Sequence, residues 1–124
     1  MKRHFVLILL SSLLFISCKK ENADAALQMR IRNNTFSRFS YSYATGTEFG
    51  KIATGATTVY KSFKSISDIP AARVVVDADT LFAGYYYFCA TLPTPLLEDG
   101  KYTLEIFEDS ISVPGFLSAR FIKD

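Results

Sequence analysis

The side chains able to do chemistry in this 124-residue chain are few, and their kinds narrow what it can be. The only histidine is His4. Without a second imidazole the body of the chain lacks the commonest general base, and with it Ser-His-Asp and Cys-His nucleophile systems and ordinary histidine-ligated zinc. No Gly-x-Ser-x-Gly elbow, glycine-rich phosphate loop or Cys-x-x-Cys occurs. Asp77 and Asp79 stand two apart, which on one strand would put both carboxylates on the same face. A calcium loop beginning at Asp77 would need an oxygen donor fifth and glycine sixth, where Leu81 and Phe82 stand. Solvated acids at a strand end are the expectation. No catalytic residue, metal or cofactor is assigned, and the chain reads as non-enzymatic.

Aromatic side chains are the other resource. Tyr41 and Tyr43 must share a strand face, and in Tyr85-Tyr86-Tyr87 the middle ring must oppose its neighbours. A row of exposed tyrosines can serve as a glycan-binding platform. A tyrosine also packs well on a half-buried sheet with its hydroxyl in water. The expectation is that Tyr41 and Tyr43 face the core. Cys89 lies in the strand-like Tyr85–Ala90 run and reads as a buried, small apolar residue, with a reactive or dimer-forming thiol as the alternative.

The elements that would position these groups are strands. Leu27, Met29 and Ile31 alternate with Gln28, Arg30 and Arg32, and Asn33-Asn34 reads as a turn. Phe39, Tyr41 and Tyr43 alternate with Ser40 and Ser42. Phe49 and Ile52 fall in a short strand, Thr57–Phe63 is rich in β-branched and aromatic residues, and Ala72–Ala78 places Val74 and Val76 opposite Arg73, Val75 and Asp77. Glu98-Asp99-Gly100 is a turn signal before Tyr102, Leu104 and Ile106, and Leu117, Ala119 and Phe121 close the pattern. Seven or eight short strands at regular spacing predict an all-β domain over 27–124, a small antiparallel β-sandwich or a barrel.

The N-terminus has a different character. Lys2 and Arg3 precede Phe5–Ile16, twelve residues without a charge, too short to span a bilayer and right for a signal peptide. Residues 18–26, beginning at Cys18 and continuing KKENADAA, read as a polar tether. Lys2 and Arg3 also supply the whole formal charge of +2, so the chain from Cys18 onward has twelve basic and twelve acidic residues and no electrostatic pull towards nucleic acid.

Phe15-Ile16-Ser17-Cys18 resembles a bacterial lipobox, with Phe15 where leucine is commoner. The resemblance implies removal of residues 1–17 and lipidation of Cys18, several acyl chains giving a firm membrane anchor. Together with Met29–Asn34, Gly55–Tyr60 and Asp99–Leu104, the chain resembles small Bacteroidota lipoproteins with immunoglobulin-like or transthyretin-like sandwiches. A fold-level resemblance carries no function. The expectation is a lipid-anchored structural or interaction module at the outer membrane that contacts an envelope protein, with a carbohydrate-binding module using Tyr41, Tyr43, Tyr85, Tyr86 and Tyr87 as the alternative. Asp79-Thr80-Leu81 and Asp109-Ser110-Ile111 resemble Bacteroidota O-glycosylation sites, at Thr80 and Ser110. Asn33-x-Thr35 also fits an N-glycosylation sequon, which is not the expected modification in such a cell.

Overall fold

A computed structural model describes residues 26–84, 95–109 and 114–124. The signal-peptide segment with His4, Cys18 and most of the tether, the tyrosine run with Cys89, and Ser110 lie outside the described residues.

The described chain is all-β. Its strands are β1 (Leu27–Asn34), β2 (Tyr41–Ala44), β3 (Thr47–Glu48), β4 (Lys61–Ser62), β5 (Ala71–Val76), β6 (Asp79–Gly84), β7 (Gly100–Phe107) and β8 (Phe116–Lys123). They form one curled sheet in the order β3-β2-β5-β6-β8-β7-β1-β4. The antiparallel expectation is corrected: β1 runs parallel to β7 from Leu27↔Gly100 to Asn34↔Phe107, and β6 runs parallel to β8 at Phe82↔Phe116 and Ala83↔Leu117. Period-two alternation is the same for both directions, so the sequence pattern cannot separate them.

The two outermost strands are brought together by the curl. Lys61 Nζ on β4 donates to the Glu48 carbonyl on β3 and lies over the Phe49 ring, which stacks on Phe63 at 6.3 Å. The segment between these strands bridges the same gap. Phe39 and Ile52 exchange backbone hydrogen bonds at 2.9 and 3.0 Å, while Asn33 N–H donates to Ala56 O and Thr58 N–H to Ile31 O, both at 2.9 Å. Edge groups are thereby paired rather than left as templates for aggregation.

Inside the curl, Met29, Ile31, Phe39, Ile66, Val74, Leu104 and Ile106 are fully buried, joined by Leu27, Ala44, Ile52, Ala72, Ala83 and Ala119. The expected alternation holds in β1, β5, β7 and β8. It fails at the second strand. Ser40 N–H and Oγ both donate to Val75 O, while Tyr41 is itself paired with Val75. Two residues are thus set against one, as in a β-bulge, and the phase shifts by one position. Phe39 stays in the core, but beyond Ser40 it is Ser42 and Ala44 that face inward.

Three further expectations are corrected. Asn33 and Asn34 are the last residues of β1, paired with Ile106 and Phe107, and the turn comes after them. The strand expected to reach Ala78 ends at Val76, and β6 is an additional strand. The link between them is a two-residue hairpin turn at Asp77 and Ala78, which have φ of 48° and 69°. That is the left-handed geometry of a type I′ turn, usually made by Asn-Gly or Asp-Gly. It also separates Asp77 from Asp79: Asp77 lies in the turn and Asp79 opens β6, so they do not share a strand face.

Candidate functional surface

The phase shift at Ser40 decides where the tyrosines go. Tyr41 and Tyr43 do share a face, as alternation requires, but it is the outer face and both are half-buried there. The core assignment expected for them is therefore wrong, and the cause is the extra residue at the bulge. The Tyr41 hydroxyl donates to Glu48 Oε1 at 3.1 Å. Partial burial and the Glu48 carboxylate together push the pKa of that hydroxyl up.

Register then builds a row across five strands. Tyr43 pairs with Glu48 on β3 and with Arg73 on β5; Arg73 pairs with Phe82 on β6; Phe82 pairs with Phe116 on β8. Side chains directly opposite one another project from the same side of a sheet. The Arg73 guanidinium lies 4.9 Å from the centre of the Tyr43 ring, a cation–π contact, and the Phe82 and Phe116 rings are 6.1 Å apart. Phe116 remains 43 % exposed. A second, shorter row, Tyr41–Val75–Thr80, lies alongside. Thr80 is exposed on this same outer face, beside the hairpin turn, so a glycan attached there would sit next to the tyrosines. Nothing in the sequence singles out Arg73, Phe82 or Phe116: only the register of three pairings places them in a row with Tyr43.

The outer face of the other half has a different chemistry. Thr103 is fully buried there; it accepts from Arg30 Nε at 3.0 Å and donates to the Asp124 carboxylate at 2.7 and 2.9 Å. Tyr60 donates to Asp124 Oδ2 at 2.6 Å, and both the Arg30 guanidinium, 4.6 Å from the ring centre, and Lys101 Nζ, 5.3 Å from it, lie over its ring. Burial alone would raise the Asp124 pKa, but the hydrogen bonds from Tyr60 and Thr103 and the charges of Arg30 and Arg32 outweigh it and hold the carboxyl below the ordinary range. Glu105, also buried, accepts from Arg120 Nε at 2.5 Å and from Asn34 Nδ2 at 3.0 Å. The charges of this face satisfy one another, the arrangement of a structural network.

Asn33 is a third polar centre. Its side chain has no exposed surface; Nδ2 donates to Ser37 O at 2.8 Å and Ile52 O at 3.1 Å, and Oδ1 accepts from Thr35 N–H at 3.0 Å and Thr35 Oγ1 at 2.7 Å. Asn33 and Thr35 are thus consumed in holding the loop after β1, which disposes of the sequon. Among the described residues no group of three or more Cys, Asp, Glu or His is placed to hold a metal ion, and no helix is long and apolar enough to cross a membrane. Comparison with protein-family models, with curated proteins and with solved structures finds no match.

Proposed function

We propose that the protein is a lipid-anchored, non-enzymatic interaction module of the cell envelope that binds a partner protein through the outer face of β2, β5, β6 and β8. The observation that carries this reading is the cross-strand row Tyr43–Arg73–Phe82–Phe116. Tyrosine and arginine are among the residue types in which interface hot spots are richest, and aromatic rings generally are enriched at interfaces. Here they are held in register by a sheet whose other side is fully packed, so little ordering is needed on binding. The curl, with one core drawn from both halves of the sheet, suits a sandwich-like module presenting the outer side of one half. The anchor rests on the sequence alone: Lys2 and Arg3, the Phe5–Ile16 run and Cys18, arriving in lipobox order, support lipid attachment to a membrane, which we take to be the outer one.

Photo-crosslinking in cells tests the face. A crosslinker at position 116 should capture a discrete partner, one at Arg32 on the opposite outer face should not, and Arg73→Glu should abolish capture. Equal capture from both positions, or none from position 116, refutes this reading. Fatty-acid labelling tests the anchor, since Cys18→Ala should remove all label. A second reading, a carbohydrate-binding module, is favoured by one observation: Tyr41 and Tyr43 face outward, with Glu48 and Arg73 as polar neighbours.

A further inference from the structure

A cleft of about 400 Å³ opens where the loop after β1 meets the β5–β6 hairpin turn, lined by Phe36, Arg38, Ser37, Ser40, Val76 and the Asp77-Ala78 pair. Its volume is that of a small-ligand site, roughly 300–1,000 Å³. Both walls are fixed. On one side, Ser37 O accepts from Asn33 Nδ2 and from Thr35 Oγ1, and Ser37 N–H donates back to Thr35 Oγ1 at 3.2 Å. These bonds hold Phe36 on a braced loop and leave it 91 % exposed. An apolar ring displayed on a rigid support is ready for contact, because no side of it is needed by the core. On the other side, Asp77 and Ala78 are both non-glycine residues in left-handed backbone, a conformation that costs roughly 1–2 kcal/mol per residue.

The charges are arranged to match. Arg38 and Asp77 line the same cleft, yet they form no ion pair with each other, and neither side chain is bonded to any other described residue. Elsewhere on the surface Arg30, Arg73 and Arg120 are each engaged by a carboxylate, a hydroxyl or a ring. The two braced walls thus keep one cation and one anion apart. One cation and one anion on the same cleft give it no net pull on a simple anion or cation. One carboxylate is also too few for a calcium site.

We infer that this cleft binds a neutral saccharide ring, whose hydroxyls pair with Asp77 and Arg38 and whose C–H face lies on Phe36. A carboxylate accepts from two neighbouring hydroxyls at once, and a guanidinium offers parallel N–H donors to ring oxygens. Ser37 adds a hydroxyl, and Val76 an apolar edge. Charged partners make the hydrogen bonds to a neutral polyol strong without demanding a charged ligand. The site is separate from the Tyr43–Phe116 row and does not depend on what that row binds.

Amide chemical shifts of the isotope-labelled protein, titrated with a panel of methyl pyranosides of gluco, galacto, manno, fuco, xylo and N-acetylgluco configuration, test the assignment. At least one should give saturable shifts centred on residues 36–40 and 76–78. Phe36→Ala and Asp77→Asn should each weaken that binding about tenfold, the loss matching about 1.4 kcal/mol. Both residues are exposed, so the variants keep their spectral dispersion and remain interpretable. The inference is overturned if no pyranoside gives a saturable shift, if only acetate or glycylglycine does, if the shifts centre on Tyr41 and Tyr43, or if both variants bind as the parent does.

Discussion

Replacing Asn33 by alanine tests the bracing of the loop that presents Phe36. The cost can be worked from the bonds it removes. Ile52 O keeps its bond from Phe39 N–H, and Ser37 O keeps its bond from Thr35 Oγ1, so both acceptors stay satisfied. Thr35 N–H does not: its acceptor is Asn33 Oδ1, and Thr35 is buried. One orphaned buried donor costs about 1–3 kcal/mol, and each surviving pair loses only part of its net value of about 1 kcal/mol. With the small void left at a fully buried position, the expected loss is about 2–4 kcal/mol. Asn33→Asp sharpens the test. It keeps the shape and both acceptor bonds, but it turns a carboxylate oxygen towards the Ser37 and Ile52 carbonyls. It should be more destabilising than alanine at pH 7 and should regain stability as acid protonates the carboxylate. Urea unfolding followed by circular dichroism measures both. If Asn33→Ala shifts stability by less than about half a kcal/mol, as surface changes do, the Asn33–Thr35 network does not hold the loop.

Ala78→Gly should raise stability by about 0.5–1 kcal/mol, because glycine relieves the left-handed strain while adding some unfolded-state entropy; a lower thermal midpoint would contradict the hairpin geometry. Tyr41→Ala should cost no more than about 1 kcal/mol, since the ring lies on the outer face, whereas Leu104→Ala in the core should cost about 2–5 kcal/mol; similar losses in urea titrations would return Tyr41 to the interior. Asp124 has a folded pKa held below its unfolded value, so its contribution is complete above about pH 4 and fades as the pH falls below that. Asp124→Asn should therefore flatten the loss of stability in acid, and an unchanged acid-unfolding profile would show that the Tyr60–Thr103–Asp124 cluster is not coupled to folding.

The inward residues of β1, β5, β7 and β8 are legible in the sequence because period-two alternation over six to eight residues is a strong signal for a sheet with one buried face. Pairing direction and partner are not. Nothing in Leu27–Asn34 or Gly100–Phe107 distinguishes a parallel neighbour from an antiparallel one, and the pairing spans most of the chain. The orientation of Tyr41 turns on one residue. Ser40 carries no glycine or proline to announce a bulge, and a single extra residue reverses every side chain beyond it. The hairpin at 77–78 is hidden for a related reason: Asp-Ala is a weak turn signal, so the strand reads on through both turn residues to Ala78 instead of ending at Val76. Phe36 and Arg38 carry no mark in the sequence, since their significance lies in being exposed and unpaired beside Asp77, which is a property of the assembled loops.

The contrast between the two outer faces bears on which surface binds. Both halves of the sheet cover one core, and stability alone would treat their outer sides alike. Yet the β1–β7–β8 side turns its charges inward on each other, through Thr103, Asp124 and Glu105, which leaves little for a partner to engage without breaking existing bonds. The β2–β5–β6 side displays a half-buried aromatic row, and the cleft at its end keeps an exposed phenyl ring, an arginine and a carboxylate that the fold does not consume. A partner breaks no internal bonds at Phe36, Arg38 or Asp77. Substitutions there should consequently separate binding from folding: they change recognition while the unfolding midpoint stays put. The same kind of change at Thr103 or Glu105 should move the midpoint first. That separation stems from which polar groups the core and its network already use, and it holds whichever ligand the free groups receive.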